Sequence, residues 1–340
     1  MTSSPASQAT LPTRRLGATG PTVSMIGLGA MGMSGGYGAR DDDVSLGTIR
    51  AAVNAGVNLI DTGDFYGSGH NEMLIGRALR ELDRDAVQLS VKFGAKFGPG
   101  GSWEGFDATP ASMRTSLAYS LRRLGTDHID IYRPARLDPD VPIEETIGAI
   151  AEMVEAGHVR AIGLSEVGPE TIRRAAAVHP IVDLQIEYSL MSRGIEAQIL
   201  PAVRAHGIGI TAYGVLSRGL ITESFHAGQL TEDDYRRHTP RFQGKNLDRN
   251  RALVYRLAAI AETKGINAAQ LAIAWSLTRG DDIVPLIGTS NPARLAQAVE
   301  ATQIELTGED LTAIEAALPA DAVAGERYAP AQMAILDSER

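Results

Sequence analysis

Short aliphatic and β-branched runs alternate with longer amphipathic stretches along most of the chain. The runs are 25–28 (MIGL), 58–61 (NLID), 88–91 (QLSV), 129–133 (IDIYR), 159–164 (VRAIGL), 181–186 (IVDLQI), 208–213 (IGITAY) and 282–286 (DIVPL). Near-continuous apolar runs of this length are how parallel strands buried on both faces read. Between them the apolar spacing is helical. In 110–124, Met113, Leu117, Leu121 and Leu124 fall on one face, and Thr109 before Pro110 supplies a cap and a first-turn proline. Helices are likewise predicted over 45–55, 72–81, 143–156, 169–177, 196–206, 249–264 and 291–301. Eight strand–helix units predict an α/β chain folded as a single (β/α)8 TIM barrel over residues 10–318. The rival, a doubly wound open sheet, would carry a phosphate-binding glycine loop after its first strand. GLGAMG (27–32) is a weak signal of that kind, and we read it as a strand end lining a ligand site.

Some segments stand outside the repeat. Residues 10–24 read as a hairpin that closes the barrel floor. Residues 214–248 are a long connection, of the sort that carries function. Residues 307–318 form an extra helix capped by Thr307, and 319–340 are a tail placed near the barrel mouth. Residues 1–9 read as a flexible polar tail.

Composition narrows the partners. There is no cysteine, which excludes disulfides and thiolate metal sites and fits a cytoplasmic location. The seven histidines show no metal-ligand spacing, so no metal is expected. A formal net charge of -9 argues against nucleic acid as a partner, and no apolar run approaches a membrane span. The first residues, MTSSPASQAT, lack the basic start and apolar core of a secretory signal. Oligomeric state is open.

In such a barrel, chemistry gathers at the carboxyl ends of the strands. Asp61 ends the second strand and Tyr66 follows it, while Lys92 ends the third. Each alone has a plain reading: a loop carboxylate, a packed ring, a solvated cation. Together they form a proton-transfer set. A phenol is a poor acid or base near neutrality, a nearby ammonium lowers its pKa, and a buried ammonium needs a carboxylate. Asp61 would hold Lys92, Lys92 would tune Tyr66, and Tyr66 would give a proton to a carbonyl oxygen.

At this point the chain resembles the aldo-keto reductase family. The matching stretches include GLGAMGMS (27–34), LIDTGDFYGSGHNE (59–72), IDIYRPARLDPDVPIEET (129–146), GHVRAIGLSEV (157–167), LQIEYSL (184–190), GITAYGVLSRGLIT (209–222) and PLIGTSNPARLAQAVEA (285–301). The resemblance implies NADPH, with NADH as the alternative, lying extended across the barrel mouth, and a small carbonyl substrate. It makes Asp61, Tyr66 and Lys92 catalytic. It assigns Ser165 and Gln185 to the nicotinamide carboxamide and makes Glu166 a cofactor-binding position, standing where the family often has asparagine. Tyr213 would stack on the nicotinamide, Gly214, Leu216 and Arg218 would wrap the pyrophosphate, and Gly29, Ala30 and Met31 would line the cofactor. Gly288, Thr289, Ser290, Arg294 and Gln297 would hold the adenosine end, with Arg294 meeting a 2′-phosphate. Ser290 and Asn291 replace residues often basic in NADPH users, and Gln297 replaces a usual glutamate.

One catalytic position departs from the pattern. The family's catalytic histidine, at the end of the fourth strand, is here Ala135. Losing one donor to a developing oxyanion costs on the order of 10²–10³ in rate. The expected outcomes are a slower carbonyl reductase, a shift to C=C or C=N reduction, a replacement donor, or a nicotinamide-binding sensor with little turnover. Strand alternation puts residues 133 and 135 on one face, which makes Arg133 the candidate donor. Trp103, in the loop after the third strand, is the candidate substrate wall.

Overall fold

A computed structural model describes residues 11–38, 40–222, 225, 228, 230–232 and 234–340. The tail expected over 1–9 lies outside the described residues. Eight parallel strands close into a barrel, each paired with its neighbours in chain order. They are Gly27–Gly29, Leu59–Gly63, Gln88–Phe93, Ile129–Pro134, Val159–Ser165, Ile181–Glu187, Gly209–Tyr213 and Ile283–Gly288. All eight fall on the predicted apolar runs. GLGAMG therefore begins as a barrel strand and then turns. A Cβ on Gly27 would come within 2.6 Å of the Leu286 side chain, so close packing accounts for this glycine.

The helices pack outside. Pro110–Leu124 begins at Thr109, whose side chain accepts from the Ser112 amide, and ends at Gly125, where φ is 70°. That left-handed stop suits glycine. Met113, Leu117 and Leu124 are buried against the barrel as their spacing requires. At the floor, Thr13–Arg15 pairs antiparallel with Thr22–Ser24, and Leu16 and Val23 plug the barrel against Leu59, Ile131 and Val284. The extra helix, Gly308–Ala317, has the Thr307 cap, and the Thr307 amide donates in return to Asp310 Oδ2.

Two features escape the periodicity. A helix packed on the last strand, Ala268–Leu277, has no counterpart among the predicted helices. Its sequence, AAQLAIAWSL, is apolar almost all round because neighbours cover most of its surface, so it shows no stripe. The predicted 249–264 helix exists as Gly244–Thr263 but lies one layer out, against Ala268–Leu277 and the extra helix. The loop after the third strand contains a small hairpin, Ala95–Phe97 with Trp103–Phe106. No helix among the described residues is long and apolar enough to cross a membrane.

Inside the barrel a polar layer lies beneath the mouth. Arg133 is fully buried and donates to Asp183 Oδ2 at 2.8 Å, Ser90 Oγ at 2.9 Å and the Leu164 carbonyl at 3.3 Å. Gly163, on the strand between them, makes room: a Cβ there would sit 2.5 Å from Asp183 Oδ1 and 2.9 Å from Arg133 Cζ.

Candidate active site

Above that layer the second and third barrel strands bring Asp61 and Lys92 together, both buried, with Lys92 Nζ 2.6 Å from Asp61 Oδ1. The second carboxylate oxygen accepts from Ser90 Oγ at 2.7 Å and Gln185 Nε2 at 2.6 Å. Three donors thus fix one carboxylate, and its charge sustains a buried ammonium. Burial lowers the Lys92 pKa, and Asp61 works against that fall. Tyr66 lies over this pair, with Lys92 Nζ 5.0 Å from its ring centroid and Phe65 against its edge.

The electrostatics of Tyr66 differ from the expected tuning by Lys92. Burial raises the phenol well above its ordinary value, Asp61 raises it further, and Arg136 is the cation that opposes them. The Lys92 charge is balanced at 2.6 Å by Asp61, so desolvation wins. In the resting site Tyr66 is a neutral phenol, the form that donates.

The fourth strand changes the sequence reading most. Ala135 lines the cleft, as expected. Arg133 does not: it points inward one layer down, its Nη1 and Nη2 are on Asp183, Ser90 and the Leu164 carbonyl, and it is absent from the cleft wall. The residue that does reach the cleft beside Ala135 is Arg136, which the sequence reading passes over. Its motif, PAR before LDP, offers no periodicity to say where the side chain points.

At the fifth strand Ser165 is buried and its Oγ lies 3.3 Å from Arg136 Nη1. Glu166 has φ 53°, a left-handed conformation that asparagine tolerates better than glutamate. It is not open to a ligand. Its carboxylate takes Arg327 Nη1 at 2.9 Å, the Tyr213 hydroxyl at 2.6 Å and Ser338 Oγ at 2.7 Å. The cofactor-binding residue expected at Glu166 is thus occupied by the tail. Tyr213 keeps a face on the cleft, but its hydroxyl is also shared with Tyr328 at 2.6 Å. Residues 327–339 therefore form a strap from the barrel mouth back to Glu166.

The strap contact is pH-linked. Burial alone would raise the Glu166 carboxyl, but Arg327, Arg136 and the Tyr213 hydroxyl hold it at about 2, below its ordinary 4.5. Its stabilisation is complete above the unfolded pKa and is lost as pH falls through the folded one. Arg327→Ala is expected to start acid unfolding at a higher pH than in the parent protein, followed by circular dichroism. Superimposable acid transitions would contradict this account.

A cleft of about 1120 Å³ runs across the mouth. Asp61, Tyr66, Lys92, Ala135, Arg136 and Gln185 form its floor. Phe65, Phe97, Trp103 and Phe106 form one wall, with Trp103 edge-on to both Phe97 and Phe106. Gly29, Met31, Gly214, Leu216 and Arg218 line the middle. Arg218 also donates to the Arg327 carbonyl at 2.6 Å and stacks on Tyr328. Ala30 is fully buried and off the cleft wall, its amide on the Asp61 carbonyl. The far end is lined by Gly288, Thr289, Ser290, Arg294 and Gln297. No carboxylate lines that end among the described residues, and Arg294 is exposed there without an ion pair. An elongated cleft with a cationic far end fits a dinucleotide.

Comparison with known proteins agrees with this geometry. The aldo/keto reductase family profile matches residues 25–319. A probable aldo-keto reductase 1 of Glycine max is 40% identical over 326 residues, 94% of this chain and 93% of that one. A glycerol dehydrogenase structure from Gluconobacter oxydans superposes with TM-score 0.81 at 31% identity, covering 90% of this chain and 94% of that one. The holo form of an aldo-keto reductase from Bacillus halodurans superposes with TM-score 0.76 at 26% identity, covering 91% and 97%.

Proposed function

Because the chain belongs to the aldo/keto reductase family, whose members are nicotinamide-dependent oxidoreductases, we propose that it reduces an aldehyde or ketone, or oxidises the matching alcohol, with NADPH and with Tyr66 as proton donor. The observation that carries this reading is the meeting of Asp61, Lys92 and Tyr66 on the cleft floor, with the ion pair at 2.6 Å directly under the phenol ring. A pure sensor has no use for a buried ammonium under a tyrosine. The bound cofactor would supply a hydride to the carbonyl carbon.

The residues supply the rest. Tyr66 holds the carbonyl oxygen and passes it a proton. Asp61 fixes Lys92, and Lys92 orients and steadies the phenol as charge shifts. Gln185 spends its amide nitrogen on Asp61, which leaves its carbonyl oxygen to accept from the carboxamide beside Ser165. The wall of Phe65, Phe97 and Trp103 favours a carbonyl carried on a flat apolar body. Single-turnover oxidation of bound NADPH by a panel of aromatic and aliphatic aldehydes, ketones and imines tests the proposal. Rapid oxidation with aldehydes is the expected result; tight cofactor binding with no oxidation by any of them would return the protein to the sensor class.

Arg294 is proposed as the residue that recognises the 2′-phosphate. A hydrogen bond to a charged group is worth about 1.5–3 kcal/mol. Arg294→Ala is therefore expected to weaken NADPH binding roughly 10- to 100-fold while NADH affinity barely moves, measured by quenching of intrinsic fluorescence. An equal loss for both cofactors would remove Arg294 from this role.

A further inference from the structure

Arg136 is a cation on the wall of the reaction cleft, and no carboxylate lies within ion-pair distance of it among the described residues. Its side chain folds back over its own neighbour. Nη1 donates to the Ala135 carbonyl at 2.7 Å and to Ser165 Oγ at a long 3.3 Å, and Nη2 reaches the Tyr328 hydroxyl at 3.4 Å. The nearby buried carboxylate, Glu166, is held by Arg327 instead. A guanidinium has five N–H donors. One good bond and two long ones leave donor capacity facing the cleft. Ala135 contributes only a methyl group there, so the space beside Tyr66 is open to that guanidinium.

We propose that Arg136 is the second donor to the substrate's carbonyl oxygen, opposite Tyr66, in the space that Ala135 leaves open. The inference rests on the carbonyl-reductase reading above. As the new C–H bond forms, the carbonyl π pair moves onto oxygen, and that oxygen takes its proton from Tyr66. Arg136 N–H groups face the oxygen throughout, and no bond to Arg136 forms or breaks. In a water-poor cleft such a donor acts on the transition state more than on the ground state. A guanidinium also stays charged across the working pH range, unlike an imidazole with its pKa near 6.5. The donor therefore adds no titration step of its own.

The rival role is purely structural: Arg136 could simply tie Ser165 to Tyr328. Three variants separate the two, namely R136A, R136Q and the double variant A135H/R136A. They are read by the single-turnover rate, by NADPH affinity, and by calorimetric binding of sodium benzoate to the enzyme–NADP⁺ complex. Benzoate places an oxyanion where the carbonyl oxygen would sit. In R136A and R136Q the rate is expected to fall about 10²- to 10³-fold. Benzoate affinity should fall about 10- to 100-fold, the size of a lost bond to a charged group, with NADPH affinity nearly unchanged. The double variant should recover at least tenfold in rate and acquire a pH dependence centred near 6.5, because a new imidazole now donates.

If either single variant keeps the parent rate and benzoate affinity, or loses only NADPH affinity, the proposal is overturned. Failure of R136A to fold leaves R136Q to decide. Absence of turnover in the parent protein would sink the carbonyl-reductase reading instead, and benzoate affinity would still decide whether Arg136 holds an oxyanion.

Discussion

Replacing Tyr66 with phenylalanine is expected to lower the single-turnover rate of carbonyl reduction by about 10²–10⁴-fold, the usual worth of a positioned proton donor. The change removes one oxygen from a ring already fixed by Phe65 on its edge and Lys92 beneath it. The cleft should keep its shape, so NADPH binding and thermal stability should match those of the parent protein. Burial keeps the phenol protonated at rest, so the reduction rate should stay flat toward high pH until the phenol itself ionises. A Y66F protein that reduces its best aldehyde at more than a tenth of the parent rate would show that the proton comes from elsewhere. Lys92→Met should depress the rate as well, but it also strands Asp61, so its loss mixes chemistry with folding.

The largest effect on stability is expected inside the barrel. Asp183→Ala deletes the carboxylate that faces Arg133 at 2.8 Å, where both side chains are fully buried. Removing one partner of a buried ion pair costs about 3–5 kcal/mol, because the other charge is left without compensation. For a chain of 340 residues this corresponds to a fall of roughly 4–7 °C in melting temperature. Replacing both partners with apolar residues, R133M/D183L, should recover most of the loss, since the interior then holds no uncompensated charge. Calorimetry distinguishes the two variants. A single variant that melts within a degree of the parent would mean that Ser90, the Leu164 carbonyl and the Thr211 hydroxyl, which accepts from Arg133 Nη1 at 3.4 Å, alone carry Arg133.

Much of the fold is legible in the chain because barrel strands are buried on both faces and each outer helix on one. Those two burial patterns write themselves as continuous runs and as stripes. Ala268–Leu277 is illegible for the same physical reason taken further: covered on most sides, it has no polar face to reveal a period. Asp61, Tyr66 and Lys92 could be chosen because they follow predicted strands, and strand ends share one mouth. The inward direction of Arg133 was also readable from alternation, whereas its partner was not. Asp183 lies two strands away, and only the closed barrel brings them together across Gly163. Arg136 lies past the strand end, where alternation stops. The Glu166–Arg327 contact joins residues 161 apart, with no local signal at either end.

That last contact couples two events. Lifted from the mouth, the strap would take Arg327 with it and leave the Glu166 carboxylate without its ion-pair partner, held by the Tyr213 hydroxyl and the Glu187 amide. With its pyrophosphate on Gly214, Leu216 and Arg218 as expected, a dinucleotide would lie next to the strap, whose Arg327 carbonyl accepts from Arg218, so it would meet more negative charge with the strap away than with it in place. A cofactor bound as proposed should therefore favour the strapped form. By the reciprocity of linked equilibria it would then hold the strap down by the same free energy that the strap contributes to holding the cofactor.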